Sequence, residues 1–148
     1  MHPQQSHEQS SGRARRPSGA DRRRLLGQLG EEFAARHFQR LGYTVLARNV
    51  RTRRGEIDMI VLDRATSTLV FAEIKTRSAG AGALRAVEGP AIWLRTRQQV
   101  RLRRLATAWL SDKRRIPAGA HTLRFDAVGV ILDGQNRLMR LDHLEAAW

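Results

Sequence analysis

The sequence contains no cysteine, so disulfide bonds and thiolate metal sites are excluded, and a reducing compartment suits the chain. It contains no run of 18 or more apolar residues, and we therefore expect no membrane-spanning segment. The first 24 residues lack the apolar stretch of a secretory signal, which favours a cytoplasmic location. Lysine is scarce as well, because only Lys75 and Lys113 occur among 27 basic residues.

Positive charge is abundant. The 27 basic residues face 14 acidic ones, which gives a formal net charge of +13 in 148 residues. Arginine binds phosphate groups in a bidentate manner, so nucleic acid, either DNA or RNA, is the expected partner. A GC-rich genome would explain the preference for arginine over lysine, but not the excess of basic residues. The oligomeric state stays open, with a homodimer as one alternative.

The chain divides into two parts by composition. Residues 1–24 are polar and basic with little to bury, and we predict that they form a disordered basic tail. Residues 25–148 are long enough for one domain with a hydrophobic core. The folded part keeps most of the net positive charge, because the tail's six arginines are partly offset by Glu8 and Asp21.

A hairpin is the centre of the folded part. Residues 57–62 and 69–74 are rich in strand-forming side chains, and a polar turn joins them. If Leu62 lies opposite Leu69, the register of an antiparallel pair is fixed along both strands. The strand before the hairpin is predicted over residues 43–50, and two more strands over residues 123–132 and 137–141.

This register predicts a cluster of charged groups. Asp58 lies opposite Glu73, with Cβ atoms about 5 Å apart, and Lys75 projects from the same face as Glu73. Adjacent carboxylates share a proton, bind a cation or repel each other, and oxygen ligands favour Mg²⁺ or Mn²⁺. Such a site suits hydrolysis of phosphodiesters, with Lys75 stabilising charge and positioning water. The alternative is a solvent-facing carboxylate pair that Lys75 partly neutralises.

Two helices are predicted around the hairpin. The first extends from Leu25 to Leu41 and places Glu31 on its inner stripe, where it either reaches a metal site or favours the helix dipole. The second extends from Pro90 to about Ser111 and turns Gln98 inward, either toward a phosphate or as a core amide. Candidate nucleic-acid-binding residues lie beside the acidic cluster and along the second helix: Arg51, Arg53, Arg54, Arg77, Arg97, Gln98 and Arg101. A solvated basic surface is the alternative for these arginines.

Several short sequences resemble the YraN family of small bacterial proteins, within the restriction-endonuclease-like PD-(D/E)xK nuclease superfamily. The resemblance runs from about Leu25 to the end of the chain. The matching motifs include Gly30-Glu31, Arg48-Asn49, Gly55-Glu56-Ile57-Asp58, Val70-Phe71-Ala72-Glu73-Ile74-Lys75 and Arg124-Phe125-Asp126. One departure is an apparent insertion at Glu88–Arg95, after which Arg97 replaces the lysine that is common in the family.

The resemblance implies an α/β fold with a restriction-endonuclease-like core, in which helices flank a mixed central sheet, as in archaeal Holliday junction resolvases. It implies that Asp58 and Glu73 bind Mg²⁺, that Lys75 assists catalysis and that Glu31 completes the catalytic and metal-binding set. The expected function is a metal-dependent nuclease acting on DNA or RNA, including structured or branched substrates. The alternative is a non-catalytic nucleic-acid-binding module.

Overall fold

The computed structural model describes residues 18–79 and 96–148. The elements in chain order are helix α1 (Gly19–Arg40), strands β1 (Thr44–Thr52), β2 (Gly55–Asp63) and β3 (Thr68–Ser78), helix α2 (Thr96–Leu110), a short 3-10 helix (Lys113–Arg115), and strands β4 (Thr122–Leu132) and β5 (Leu138–Leu144). Part of the predicted tail, residues 1–17, lies outside the described residues. The predicted helix start at Pro90 and the apparent insertion at Glu88–Arg95 also lie outside them.

Helix α1 begins at Gly19, earlier than the predicted Leu25, so the tail prediction was wrong for residues 19–24. The cause is a reciprocal cap. The Ser18 hydroxyl accepts a hydrogen bond from the Asp21 backbone N–H at 3.2 Å, and the Asp21 carboxylate accepts one from the Ser18 N–H at 3.1 Å. The cap starts the helix before the first apolar residue, whereas the prediction relied on apolar periodicity.

The five strands form one mixed sheet in the order β1-β2-β3-β4-β5. Strands β3 and β4 are parallel, and the other neighbouring pairs are antiparallel. Helix α1 packs on one face, where Phe38, Val61 and Val70 are buried together, and α2 packs on the other, where Phe71 and Leu102 are buried. The predicted α/β fold with a mixed sheet between helices is confirmed, and it is consistent with a restriction-endonuclease-like core.

The predicted hairpin register is confirmed for five residue pairs. Leu62 lies opposite Leu69, and the ladder extends from the Asp63–Thr68 pair to the Met59–Ala72 pair. Asp58 and Glu73 are the next positions in this register, but they are not paired in the sheet. The prediction that they face each other as a regular cross-strand pair was therefore wrong. The Asp58 side chain, which accepts a hydrogen bond from the Ile74 backbone N–H, interrupts the ladder at this point.

Strand β5 extends to Leu144, so it ends three residues after the strand predicted over residues 137–141. Asp142 and His143 pair with Gly129 and Val128 of β4, and this pairing keeps the segment extended. Neither helix in the described part of the chain is long and apolar enough to span a membrane.

Candidate functional site

Asp58 lies where strands β2 and β3 separate. Its Oδ2 atom accepts a hydrogen bond of 2.8 Å from the backbone N–H of Ile74. A side-chain oxygen thus takes a backbone donor that a regular ladder would direct to a backbone carbonyl. The ladder ends beside it at Met59–Ala72. Asp58 therefore lies between the two strands, next to the segment that carries Glu73.

The pKa of Asp58 is raised by its surroundings. Burial, followed by the charge of Glu73, raises the pKa of Asp58 from 3.8 to about 7. The charge of Glu31 acts in the same direction, whereas the Ile74 N–H and Lys75 act in the opposite one. Three carboxylates, two on the hairpin and one on α1, thus lie close enough to influence one another.

Glu73 is held by two cationic side chains. Its side chain is only 1% exposed, and Lys75 Nζ donates a hydrogen bond of 2.7 Å to Oε1. Arg101 Nη2 donates to the same carboxylate, at 3.3 Å to Oε1 and 3.2 Å to Oε2. A buried carboxylate needs such partners, because an unpaired buried charge is strongly destabilising. Lys75 lies beside Glu73, as the alternation of side chains along β3 predicted.

Glu31 is held in place by a residue that was not among the predicted site residues. Asn49 Nδ2 donates a hydrogen bond of 2.8 Å to Glu31 Oε2. Asn49 has a φ of 50°, in the left-handed region that few residues other than glycine adopt. The dipeptide Arg48-Asn49 was part of the family resemblance. No sequence signal, however, predicted the backbone conformation of Asn49 or its contact with α1.

Gly30 allows α1 to approach the sheet closely. A Cβ atom at this position would overlap the side chain of Thr76 on β3, whereas a Cβ atom at Gly27 would meet nothing within 4 Å. The helix backbone therefore lies directly against β3 one residue before Glu31. This close approach brings the helix acid towards the hairpin.

The predicted nucleic-acid-binding residues fall into separate groups. Arg54, Arg97 and Arg101 line a cavity of about 640 Å³, which we call the arginine cavity, together with Val100, Arg104 and Leu105. Arg51 instead forms an ion pair of 3.1 Å with Glu56 and lines a second cavity, of about 530 Å³. This second cavity also contains Arg23, Arg24, Gly27, Gln28, Glu31, Asn49 and Glu56.

The remaining candidates do not line either cavity. Arg53 is exposed in the turn between β1 and β2, Arg77 is exposed near the end of β3, and Gln98 is partly buried on α2. Sequence reasoning did not select Arg104 or the two arginines at positions 23 and 24. The latter pair was assigned to the tail, whereas the capped start of α1 places it beside Glu31.

A second network of polar residues is distinct from the acidic cluster. Asp126 is fully buried and accepts two hydrogen bonds of 2.8 Å from Arg124. His143 Nε2 lies 2.8 Å from Asp126, and His143 Nδ1 lies 3.0 Å from His37 Nε2. Since an ionised Asp126 only accepts hydrogen bonds, His143 donates to it from Nε2, and when His143 is neutral its Nδ1 accepts a hydrogen bond from His37 Nε2. Arg124, Asp126 and the two histidines thus join β4, β5 and the end of α1.

The donor atoms of the acidic cluster suit a hard divalent cation. Asp58 and Glu73 supply carboxylate oxygens, the ligands that Mg²⁺ and Mn²⁺ prefer, and such an ion would relieve the repulsion that Glu73 exerts on Asp58. No group of three or more histidine, aspartate or glutamate side chains in residues 18–79 and 96–148 is arranged to hold a metal ion. Lys75 and Arg101 contact Glu73, and Asn49 contacts Glu31.

Comparison with known proteins identifies a bacterial family. The sequence profile of the uncharacterised protein family UPF0102 matches residues 30–130. A UPF0102 protein of Mycolicibacterium smegmatis is 45% identical over 123 residues, which cover 80% of this chain and 89% of the relative. UPF0102 proteins of Mycobacterium avium and Pelotomaculum thermopropionicum are 43% and 38% identical, over 81% and 87% of this chain and 87% and 99% of the relatives.

Proposed function

We propose a function for this chain, which belongs to the uncharacterised protein family UPF0102: metal-dependent hydrolysis of phosphodiester bonds in DNA or RNA, with structured or branched molecules as the first candidate substrates. The resemblance to the YraN family and to PD-(D/E)xK nucleases supports this proposal. The observation that carries it is the gathering of Asp58, Glu73 and Lys75 at the point where β2 and β3 separate.

Each residue of the cluster has a role in this proposal. Asp58 and Glu73 would hold a Mg²⁺ or Mn²⁺ ion. Glu31, which the family resemblance adds to the acidic set, would have to move towards them to become a third ligand. Such an ion supplies Lewis-acid activation at a phosphoryl oxygen. The Lys75 side chain is 34% exposed, so its ammonium group can reach a phosphate while it stays beside Glu73. Its positive charge would stabilise the negative charge that develops on the phosphate oxygens.

The positive charge around the cluster supports a polyanionic substrate. The arginine cavity shares Arg101 with the acidic cluster, and the second cavity shares Glu31 and Asn49 with it. A phosphate chain that crosses the cluster would therefore meet arginines on both sides. Electrostatic attraction of this kind accelerates and strengthens binding to nucleic acids, and it weakens as salt is added.

The alternative function is a non-catalytic nucleic-acid-binding module. One observation favours it: Glu73 already has two cationic partners, so its burial does not require a metal ion. In that case the acidic cluster stabilises the hairpin, and the arginines alone contact the nucleic acid. Binding would then survive the loss of Asp58, and no cleavage would accompany it.

A cleavage assay separates the two functions. Labelled branched, flapped and linear DNA and RNA are incubated with the purified protein and Mg²⁺ or Mn²⁺. The nuclease proposal expects cleavage that falls by about 100-fold or more in Asp58→Asn and in Lys75→Ala. The matched control is Lys113→Ala, which removes the other lysine, an exposed residue of the 3-10 helix, and should keep full activity. Equal residual cleavage in all variants would indicate a contaminating nuclease and remove the support.

A further inference from the structure

Arg101 belongs to two regions of the molecule at once. Its Nη2 atom donates to the Glu73 carboxylate, and its Nη1 atom donates to the Glu56 backbone carbonyl at 3.2 Å. The same side chain lines the arginine cavity beside Arg54, Arg97 and Arg104. One guanidinium group therefore lies at the boundary between the acidic cluster and the cavity.

Three of the four arginines that line the arginine cavity have no acidic partner in the described part of the chain; the fourth, Arg101, is paired with Glu73. Helix α2 contains no aspartate or glutamate, and among the residues that the structure describes Arg54, Arg97 and Arg104 take part in no ion pair. Arginine binds phosphate with two parallel hydrogen bonds, so this cavity suits the phosphate groups of a nucleic-acid strand. A phosphate bound in this cavity would lie next to Arg101, which lines it as well.

The contact between Arg101 and Glu73 is the longer of the two that Glu73 makes with cations, and of the two cations only Arg101 lines the arginine cavity. It spans 3.2–3.3 Å, compared with 2.7 Å for Lys75, and the Arg101 side chain is 37% exposed. A phosphate in the cavity can therefore compete for Arg101 more readily than for Lys75. Glu73 would lose one of its two cationic partners in this exchange while it remains almost fully buried. A buried carboxylate with fewer partners binds another cation more strongly.

We propose that Arg101 couples phosphate binding in the arginine cavity to divalent-cation binding at Glu73. Without nucleic acid, Arg101 neutralises Glu73 and lowers the affinity of the acidic cluster for metal. With a phosphate in the cavity, Arg101 turns to the phosphate and Glu73 becomes available to the ion. This coupling rests on the proposed nuclease function, and it makes binding of the metal and the substrate mutually reinforcing. Linkage requires that each ligand raises the affinity for the other by the same factor.

The coupling is measured by titrating the protein with Mn²⁺ and following the free ion by electron paramagnetic resonance. The titration is done without nucleic acid and with a short DNA oligonucleotide, whose integrity is checked on a gel. In the wild-type protein the oligonucleotide should raise Mn²⁺ affinity about tenfold, within the usual range of coupling between sites. In Arg101→Gln, the affinity without DNA should rise, and the effect of the oligonucleotide should fall below about threefold.

Two further arginines of α2 provide controls. Arg104→Gln removes a cavity residue for which no contact with Glu73 is observed, so it should weaken oligonucleotide binding without changing Mn²⁺ affinity in the absence of DNA. Arg103 lies over the ring of Phe125 and is not among the residues that line the cavity, so Arg103→Gln should change neither affinity nor coupling. Thermal unfolding of each variant verifies that it is folded. If Arg101→Gln does not fold, Arg101→Lys replaces it and should retain less than half of the wild-type coupling.

The outcomes separate this inference from the proposed function. If Mn²⁺ and the oligonucleotide both bind but do not affect each other, the coupling is refuted and the proposed nuclease function stands. If the oligonucleotide raises Mn²⁺ affinity equally in wild type and in the Arg101 variant, the enhancement comes from direct contact between metal and phosphate, and the role of Arg101 is refuted. If neither ligand binds the wild-type protein, both the proposed function and the coupling fail.

Discussion

The carboxylate of Asp58 accepts a hydrogen bond from the backbone N–H of Ile74 across 2.8 Å, where strands β2 and β3 separate. This one contact holds a mostly buried carboxylate beside Glu73 and gives it only a neutral donor in return. Burial, followed by electrostatic repulsion from Glu73, raises the pKa of Asp58 to about 7. A cation that binds both carboxylates would remove this repulsion.

The raised pKa of Asp58 predicts how stability depends on pH in metal-free protein. Between pH 4 and 7 the unfolded chain has Asp58 ionised, whereas the folded chain keeps the proton, so stability decreases as pH rises through this interval. The rise of the Asp58 pKa from 3.8 to about 7 lowers the free energy of unfolding by about 4 kcal/mol once Asp58 is fully ionised in the folded chain. Asp58→Asn has no charge to ionise, and its side-chain oxygen can still accept from Ile74.

We therefore expect the stability advantage of Asp58→Asn over wild type to be larger at pH 8 than at pH 5, by about 2–3 kcal/mol. Urea unfolding at both pH values with a chelator measures the difference. The effects of other titrating groups largely cancel between the two proteins. A difference that is the same at both pH values would contradict the burial and repulsion assigned to Asp58.

The contact between Gly30 and Thr76 predicts opposite effects for two glycines of the same helix. Gly30→Ala should reduce the free energy of unfolding by about 2 kcal/mol or more, because the new methyl group would overlap Thr76. Gly27→Ala should increase it by about 0.5–1 kcal/mol, because alanine favours a helix and the added Cβ meets no atom within 4 Å. Chemical denaturation of both variants tests this, and similar effects at the two positions would argue against close packing of α1 on β3.

Two substitutions of Asn49 should differ in stability but lose activity to the same extent. Asn49→Ala loses the hydrogen bond to Glu31 and places alanine at a φ of 50°, which costs about 1–2 kcal/mol in stability. Asn49→Gly loses the same hydrogen bond but tolerates this φ, so its stability should exceed that of the alanine variant.

The proposed nuclease activity should fall by about 10- to 100-fold in both Asn49 variants, because Glu31 is no longer held in position. The stability is measured by thermal unfolding and the activity by cleavage of the best substrate. Full activity in the glycine variant would show that the contact between Asn49 and Glu31 is only structural.

The lowered pKa of His37 predicts a second effect of pH on stability, opposite in direction to the effect of Asp58. Burial, and then the charges of His143 and Arg40, lower the pKa of His37. The folded chain therefore binds fewer protons at this group than the unfolded chain does, and stability should decrease as pH falls below about 6.5. His37→Gln should show a smaller loss of stability between pH 7 and 5 than wild type does. Identical losses in the two proteins would indicate that His37 titrates as it does in the unfolded chain.

The sequence predicted the elements whose signals are local. Two runs of strand-forming residues and the polar turn between them gave the register with Leu62 opposite Leu69, and β4 was found within one residue of its observed start. The start of α1 was misplaced because its cap at Ser18 precedes the periodic apolar residues of the helix. The end of the ladder was missed because it depends on a side chain, that of Asp58, taking a backbone donor.

The contacts that shape the site arise between elements that are distant in sequence. Arg101 of α2 meets Glu73 of β3, and Asn49 of β1 meets Glu31 of α1. Neither contact has a sequence period or spacing that would reveal it. Periodicity placed Arg101 on a basic stripe, but only the packing of α2 on the sheet shows that this arginine contacts an acid.

The central claim is that Asp58 and Glu73 together bind a divalent cation. Calorimetric titration of the wild-type protein and of Glu73→Ala with Mg²⁺ or Mn²⁺ tests it most directly, with Lys113→Ala as the control for a change at the surface. We predict one ion per chain in wild type and in the control, and an affinity at least tenfold lower in Glu73→Ala. The same stoichiometry and affinity in wild type and Glu73→Ala, or no binding by wild type in the presence of an oligonucleotide, would contradict the claim.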